Sequence, residues 1–140
     1  SLHPKARLDF KQFIEDAEEG LNITLRISQA LRTMDEQQSL YDLGRKKEGS
    51  IVTNAKPGSS YHNYGLAVDL VVMVNDKLDW NYDMGKLLPY AIKHGISWGG
   101  NWKKFKDKPH FEKTFGIGWR EMLKRYQEKH FILNTEYILL

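Results

Sequence analysis

The stretch Leu66-Ala67-Val68-Asp69-Leu70-Val71-Val72-Met73-Val74 is the longest apolar run in the chain, and a single carboxylate interrupts it. Gly65 precedes it and Asn75-Asp76 supplies a turn after it. It therefore reads as a central strand, apolar on both faces, that turns into a segment from Lys77 to Trp80. It is far too short to span a bilayer. Asp69 is the residue hardest to place, because a carboxylate inside such a strand is costly unless it is paired. An arginine, backbone donors or a metal ion could each compensate it. The position alone leaves a structural ion pair and a metal both open.

Further out, Phe10, Phe13, Ile14 and Ala17 recur at helical spacing and predict a first helix from Pro4 to Glu19, ended by Gly20. Leu21, Ile23, Leu25 and Ile27 alternate with polar residues and predict a half-buried strand over Leu21 to Ser28. Thr33 and Glu36 form a capping-box pattern, so a second helix begins near Met34 and stops at Gly44. Residues 46–59 are rich in Gly, Ser, Lys and Pro and read as a long loop with a short extended piece at Ile51 to Thr53. Met84, Leu87, Leu88, Ala91 and Ile92 mark a third helix, stopped by Gly95. Short strands are expected at Ile96 to Trp98 and Pro109 to Glu112, and a last helix carries Trp119, Met122, Leu123 and Tyr126. No repeat or linker divides the chain, so residues 1–140 read as one domain. Helices flanking strands that are joined by hairpins and loops describe an α+β domain with a small, mostly antiparallel sheet.

A composition of 41% hydrophobic and 28% charged residues over 140 positions suits a globular domain able to bury a core. The absence of cysteine excludes disulfides and thiolate metal ligands, and leaves the redox compartment open. The formal charge of +3 and pI near 9.0 are mildly basic. They describe either a solvated surface with a lysine excess or attraction to an anionic polymer such as cell wall or nucleic acid. The run Lys103-Lys104-Phe105-Lys106 places positive charge beside Asp107, but no long block of like charge marks a nucleic-acid-binding arm. Ser1-Leu2-His3-Pro4 lacks the apolar core of a signal peptide, so one is either absent or removed.

His62 lies in a polar loop entering the apolar strand, and Gly65 allows that loop to fold back closely over it. Asp107-Lys108-Pro109-His110-Phe111-Glu112 supplies a second histidine. His110 and Glu112, two apart in an extended segment, face the same side. Two imidazoles and one carboxylate make a usual catalytic zinc set. They also suit the facial triad of non-haem iron oxygenases, although those triads hold the first histidine and the acid closer in sequence. A further acid nearby is what metal-assisted hydrolysis requires as a proton carrier. His94, beside Gly95, suits a helix C-terminus, whereas His3 and His130 read as solvated. Trp98 and Trp102 either line a groove or fill core. Neither a phosphate-cradling glycine loop nor a serine-nucleophile elbow is present.

The pattern Ser60-x-His62-x-x-Gly65-x-Ala67-x-Asp69, followed by Asp107-x-x-His110-x-Glu112, resembles the zinc peptidases of the D-alanyl-D-alanine carboxypeptidase and L-alanyl-D-glutamate endopeptidase family. Arg32-Thr33, Glu36-Gln37, Leu40-Tyr41 and Gly44-Arg45 resemble its upstream block, and Trp98-Gly99-Gly100-Asn101-Trp102 its tryptophan-glycine segment. The similarity covers about residues 25–126 and is strongest to the subgroup of phage endolysins and bacterial cell-wall endopeptidases.

The resemblance implies the Hedgehog/DD-peptidase-like fold, with Zn2+ held by His62, Asp69 and His110. It makes Asp107 the catalytic acid/base and Arg32 the group that polarises the scissile carbonyl. Ser60, Glu112, Trp98 and Trp102 fall to the supporting shell or the substrate groove. The implied reaction is hydrolysis of an amide in peptidoglycan stem peptides, with the L-alanyl-D-glutamate bond favoured and D-alanyl-D-alanine carboxypeptidase activity as runner-up. A non-catalytic zinc-fold binding module and a basic nucleic-acid-binding domain are the rivals from other classes. The expected place of action is the bacterial cell wall, reached by export, in the periplasm or by phage delivery, with no membrane span. The oligomeric state is left open.

Overall fold

The apolar run becomes an inner strand. The computed structural model describes residues 1–140. In chain order the elements are α1 (Pro4–Leu21), β1 (Thr24–Gln29), α2 (Met34–Asp42), β2 (Ala67–Val74), β3 (Lys77–Leu78), α3 (Leu88–Lys93), β4 (Ser97–Trp98), β5 (His110–Glu112) and α4 (Trp119–Gln127). The sheet is antiparallel throughout, in the order β1-β2-β5-β4, with β3 folded back on the end of β2. Its register pairs Val68 with Phe111 and Asp69 with His110. The interrupting carboxylate thus has a histidine as its cross-strand neighbour, in side-chain contact range.

Strand period sorts β2 into two faces. Val68, Leu70 and Val72 are buried, and join Ala6, Phe10, Phe13 and Ala17 of α1 in the core. Phe111 lies on Phe13, with ring centroids 5.1 Å apart. Burying such a ring contributes about 1.5–3 kcal/mol. Asp69, Val71 and Met73 sit on the other face, which is only half-buried. β2 is therefore apolar on both faces but is core on only one; the other face belongs to the site.

Several elements depart from the sequence expectation. α1 continues through Gly20 to Leu21 and ends at Asn22, whose φ of 53° is left-handed. Gly20 is packed against the Tyr90 ring, where a Cβ would overlap it. β1 is correspondingly shorter and later than Leu21 to Ser28. As an edge strand with a register irregularity between Ile27 and Gln29, it leaves Ile27 exposed. The third helix is split: Met84–Leu87 forms a 3₁₀ turn capped by Asp83, and α3 restarts with Pro89 in its first turn. Ile92 is exposed and is not part of the buried stripe. Ile51 to Thr53 joins no strand. The capping box is present, with Thr33 and Glu36 exchanging hydrogen bonds of 3.0 Å.

His3 is the clearest correction, because it is fully buried rather than solvated. Its Nδ1 accepts from the Lys5 backbone as the cap of α1, and its Nε2–H donates to the Ile138 carbonyl at 2.7 Å. Ile138 itself is core. His130 is exposed, and His94 pairs with Asp16 at 2.7 Å.

Burial pushes the His3 pKa below its ordinary value, with Lys5 and Arg7 adding repulsion against the Ile138 carbonyl. A neutral buried histidine favours folding above the unfolded pKa near 6.5 and loses that advantage as the pH falls through the lower folded value. Acidification from neutrality is therefore expected to lower the Tm of the parent more than that of a His3→Gln variant, read by circular dichroism across pH 7.5 to about 5. Equal slopes would remove His3 from the pH dependence.

Candidate metal centre

Three neighbouring pieces of chain build the site. Residues Tyr61–Tyr64 form a 3₁₀ turn capped by Ser60, whose hydroxyl accepts from the His62 amide. The turn closes at Gly65, where φ is +71° and a Cβ would lie 2.7 Å from the His3 nitrogen. Only glycine fits that bend and that approach, and it delivers buried His62 to the half-exposed face of β2. The register of β5 delivers His110 from the other side. His62 Nε2 lies 3.1 Å and His110 Nδ1 3.3 Å from the same oxygen, Asp69 Oδ1. All three ligating atoms lie within 4.8 Å of one another.

The far nitrogens decide the chemistry of the near ones. His62 Nδ1–H donates to the Ala30 carbonyl at 2.7 Å, and His110 Nε2–H donates to Glu112 Oε1 at 2.7 Å. In the neutral tautomers both remaining lone pairs point at an acceptor-only carboxylate. A cation between them resolves the conflict; otherwise protons must. Burial would raise Asp69, but hydrogen bonds from His110 and His62 outweigh it and hold the carboxyl well below its usual range. Burial would likewise lower His110, yet Asp69 and Glu112 push it up to about 9. Donor atoms at 2.0–2.1 Å from a tetrahedral centre stand roughly 3.3–3.4 Å apart. The two spacings to Asp69 Oδ1, 3.1 and 3.3 Å, lie close to that edge, and each imidazole carries the outer hydrogen bond that metal-bound histidines have. The residues fit zinc.

Asp107 and Arg32 line the same groove, of about 910 Å³, together with Ser60, Trp102 and Glu112. Burial pushes the Asp107 carboxyl above the usual range, with Asp69 adding repulsion against the pull of His110, His62 and Arg32. Burial lowers the Arg32 guanidinium, against attraction from Asp69 and Asp107; it remains a cation. Its Nη1 donates to Gln37 at 2.9 Å, while its Nε is buried without a partner. The Trp102 ring lies 5.1 Å from the His110 ring. The structure does not bring Trp98 into this groove. Trp98 stacks on Phe111, donates its indole N–H to the Lys108 carbonyl at 2.7 Å and lines a separate cleft.

A sequence profile of the D-alanyl-D-alanine carboxypeptidase family matches residues 53–113. The peptidoglycan L-alanyl-D-glutamate endopeptidase CwlK of Bacillus subtilis is 42% identical over 122 residues, covering 79% of this chain and 72% of CwlK. The chain belongs to this peptidase family. An L-Ala D-Glu endopeptidase of Serratia marcescens, ChiX, superposes with a TM-score of 0.59 at 28% identity, over 87% of this chain and 84% of ChiX. The D,D-pentapeptidase VanY, solved in complex with Zn(II), shares the fold with a TM-score of 0.60 at 17% identity, over 90% of this chain and 78% of VanY. The architecture is the Hedgehog/DD-peptidase fold, and the chain is a zinc metallopeptidase. No helix is long and apolar enough to cross a membrane.

The surroundings of Arg32 are also built by residues that pattern reading passed over. Gln37 is fully buried; its Nε2 donates to the Ala55 carbonyl at 2.8 Å, which turns its oxygen toward Arg32. Asn63 donates to the Arg32 carbonyl at 3.0 Å and accepts from the Gly58 amide at 3.0 Å. The only sequence signal was that both stand inside the motif blocks, without a charge to draw notice.

Gly99 is a second glycine at which a side chain has no room. A Cβ there would lie 2.5 Å from the Asp107 carbonyl oxygen and 3.1 Å from the His110 Cβ. Gly99→Ala must push the Asp107–His110 segment outward. Misplacement on this scale costs on the order of 10–100-fold in rate, so kcat is expected to fall by that factor while far-UV circular dichroism is unchanged. Parental kcat would show that the segment yields without consequence.

Proposed function

We propose that this peptidase hydrolyses the L-alanyl-D-glutamate bond of bacterial peptidoglycan stem peptides, acting at the cell wall. The observation that carries the reading is the 42% identity to an L-alanyl-D-glutamate endopeptidase over most of both chains. The donor geometry supports His62, Asp69 and His110 as the zinc ligands. When bound, zinc supplies Lewis-acid polarisation and lowers the pKa of water to about 7. Asp107, which lines the same groove and has its carboxyl raised by burial, would accept the proton of the attacking water and return it to the leaving amine. Arg32 holds fixed positive charge, braced by Gln37, for the carbonyl oxygen as it becomes negative. Glu112 and the Ala30 carbonyl fix the imidazole tautomers.

Digestion of purified peptidoglycan followed by mass spectrometry of the muropeptides tests the reading. Products with a new glutamyl amino terminus are expected. Release of terminal D-alanine instead would assign D-alanyl-D-alanine carboxypeptidase activity, and no new amino terminus with the zinc-loaded protein would overturn both.

A further inference from the structure

Beyond His62, Asp69 and His110, the groove has two unlike walls. One is the segment Ile51–Ala55, which carries no charge. The other is the loop from Gly100 to Lys106, pinned at its neck because the amides of Trp102 and Asp107 both donate to the Gly99 carbonyl, at 3.2 and 3.0 Å. At its tip Phe105 takes a left-handed backbone, φ 53°, which a bulky residue adopts only against strain. That turn carries the flanking Lys104 and Lys106 into the groove lining, whereas Lys103 and Lys108 are left out of it. Neither Lys104 nor Lys106 forms an ion pair with a carboxylate of the chain. The acids of the groove are otherwise committed: Asp69 to two histidines, Glu112 to His110, and Asp107 to the reacting proton.

We propose that Lys104 and Lys106 form a subsite for a free carboxylate on the substrate, beside the scissile amide. This rests on the L-alanyl-D-glutamate reading and deepens it. A glutamyl residue has two carboxyl groups. One continues the peptide chain, and the other remains as a free anion within a few bonds of the amine that leaves. Besides Lys104 and Lys106, the only lysine or arginine in the groove lining is Arg32, held for the carbonyl oxygen, and Arg45 is spent on Thr53 and Asn54 behind the other wall; that anion settles against the lysines. The subsite therefore discriminates between stem peptides whose glutamate carboxylate is free and those in which it is a carboxamide.

The test uses two synthetic stem peptides that differ only in that carboxylate or carboxamide. Zinc-loaded parent, the Lys104→Gln/Lys106→Gln double variant and the Lys104→Arg/Lys106→Arg pair are compared. kcat/KM is measured for each, and peptide Kd by calorimetry. The parent is expected to favour the acid by about five- to tenfold, the scale of two solvent-exposed ion pairs. That preference should shrink as salt is raised. In the glutamine pair it should fall to about one, and the arginine pair should restore it. Equal parental use of the two peptides, or an equal loss on both in the glutamine pair, would overturn the subsite. If the parent cleaves neither peptide, the endopeptidase reading fails by itself, and the ratio of the two Kd values then decides the subsite alone.

Discussion

Asp107→Ala is expected to lower kcat by about 10²–10⁴-fold while the protein keeps its zinc. The carboxyl has no place among the three atoms that converge between His62 and His110, so on the proposed mechanism its removal takes away a proton carrier and not a ligand. Its backbone amide still donates to Gly99, and the segment keeps its path. Metal analysis beside steady-state kinetics separates the two roles. Loss of zinc would move Asp107 into the ligand set, and full turnover would remove it from the mechanism. Asp107→Asn sharpens the comparison, because it keeps the shape and loses the titratable oxygen. It should match alanine in kcat if proton transfer is what the side chain supplies.

His62→Ala is expected to abolish stoichiometric zinc binding and with it the metal's contribution to stability. Metal at about 100 times its Kd stabilises a folded protein by about 2.7 kcal/mol, so the parent should lose that amount on chelation and the variant nothing. The variant also loses the part-buried hydrogen bond to the Ala30 carbonyl, whose net worth is about 0.5–1.5 kcal/mol. The chelated parent is therefore the reference that isolates the second effect from the first. Unchanged zinc stoichiometry would refute the ligand role.

The legible part of this molecule was the part with a strong local signal. Asp69 announced itself because a charge in an apolar strand demands a partner, and Asp107-x-x-His110-x-Glu112 named the candidates. The relation between the two segments was not in either of them. It comes from the register that sets Asp69 opposite His110, and register is fixed by the packing of Val68, Leu70 and Phe111 against α1, which no spacing rule states. Arg32 entered through family resemblance; in space it is joined to the site by the hydrogen bond that its backbone N–H donates to the His62 carbonyl. Gln37 and Asn63 stayed silent because a neutral amide reads the same in sequence whether it is solvated or fully buried. His3 misled because its position near the start of the chain suggested solvent, whereas its burial depends on Ile138, far away in sequence. Gly20 misled because a glycine that stops a helix and one that makes room for Tyr90 are written identically.

The segment from Ile51 to Gly58, whose first five residues form the uncharged wall of the groove, has no helix or strand to stiffen it, yet it is tied from beneath. Gln37 holds the Ala55 carbonyl, Asn63 holds the Gly58 amide, and Tyr64 donates to the Gly58 carbonyl. In amide exchange such a segment should divide in two. The Gly58 proton, bonded inside the fold, should exchange only when the surrounding polar cluster opens, on the slow timescale of the strands. Protons at Ile51 and Val52, whose side chains are exposed, should exchange at loop rates. The boundary between the two behaviours would mark how far into this wall the protein is rigid before any substrate arrives.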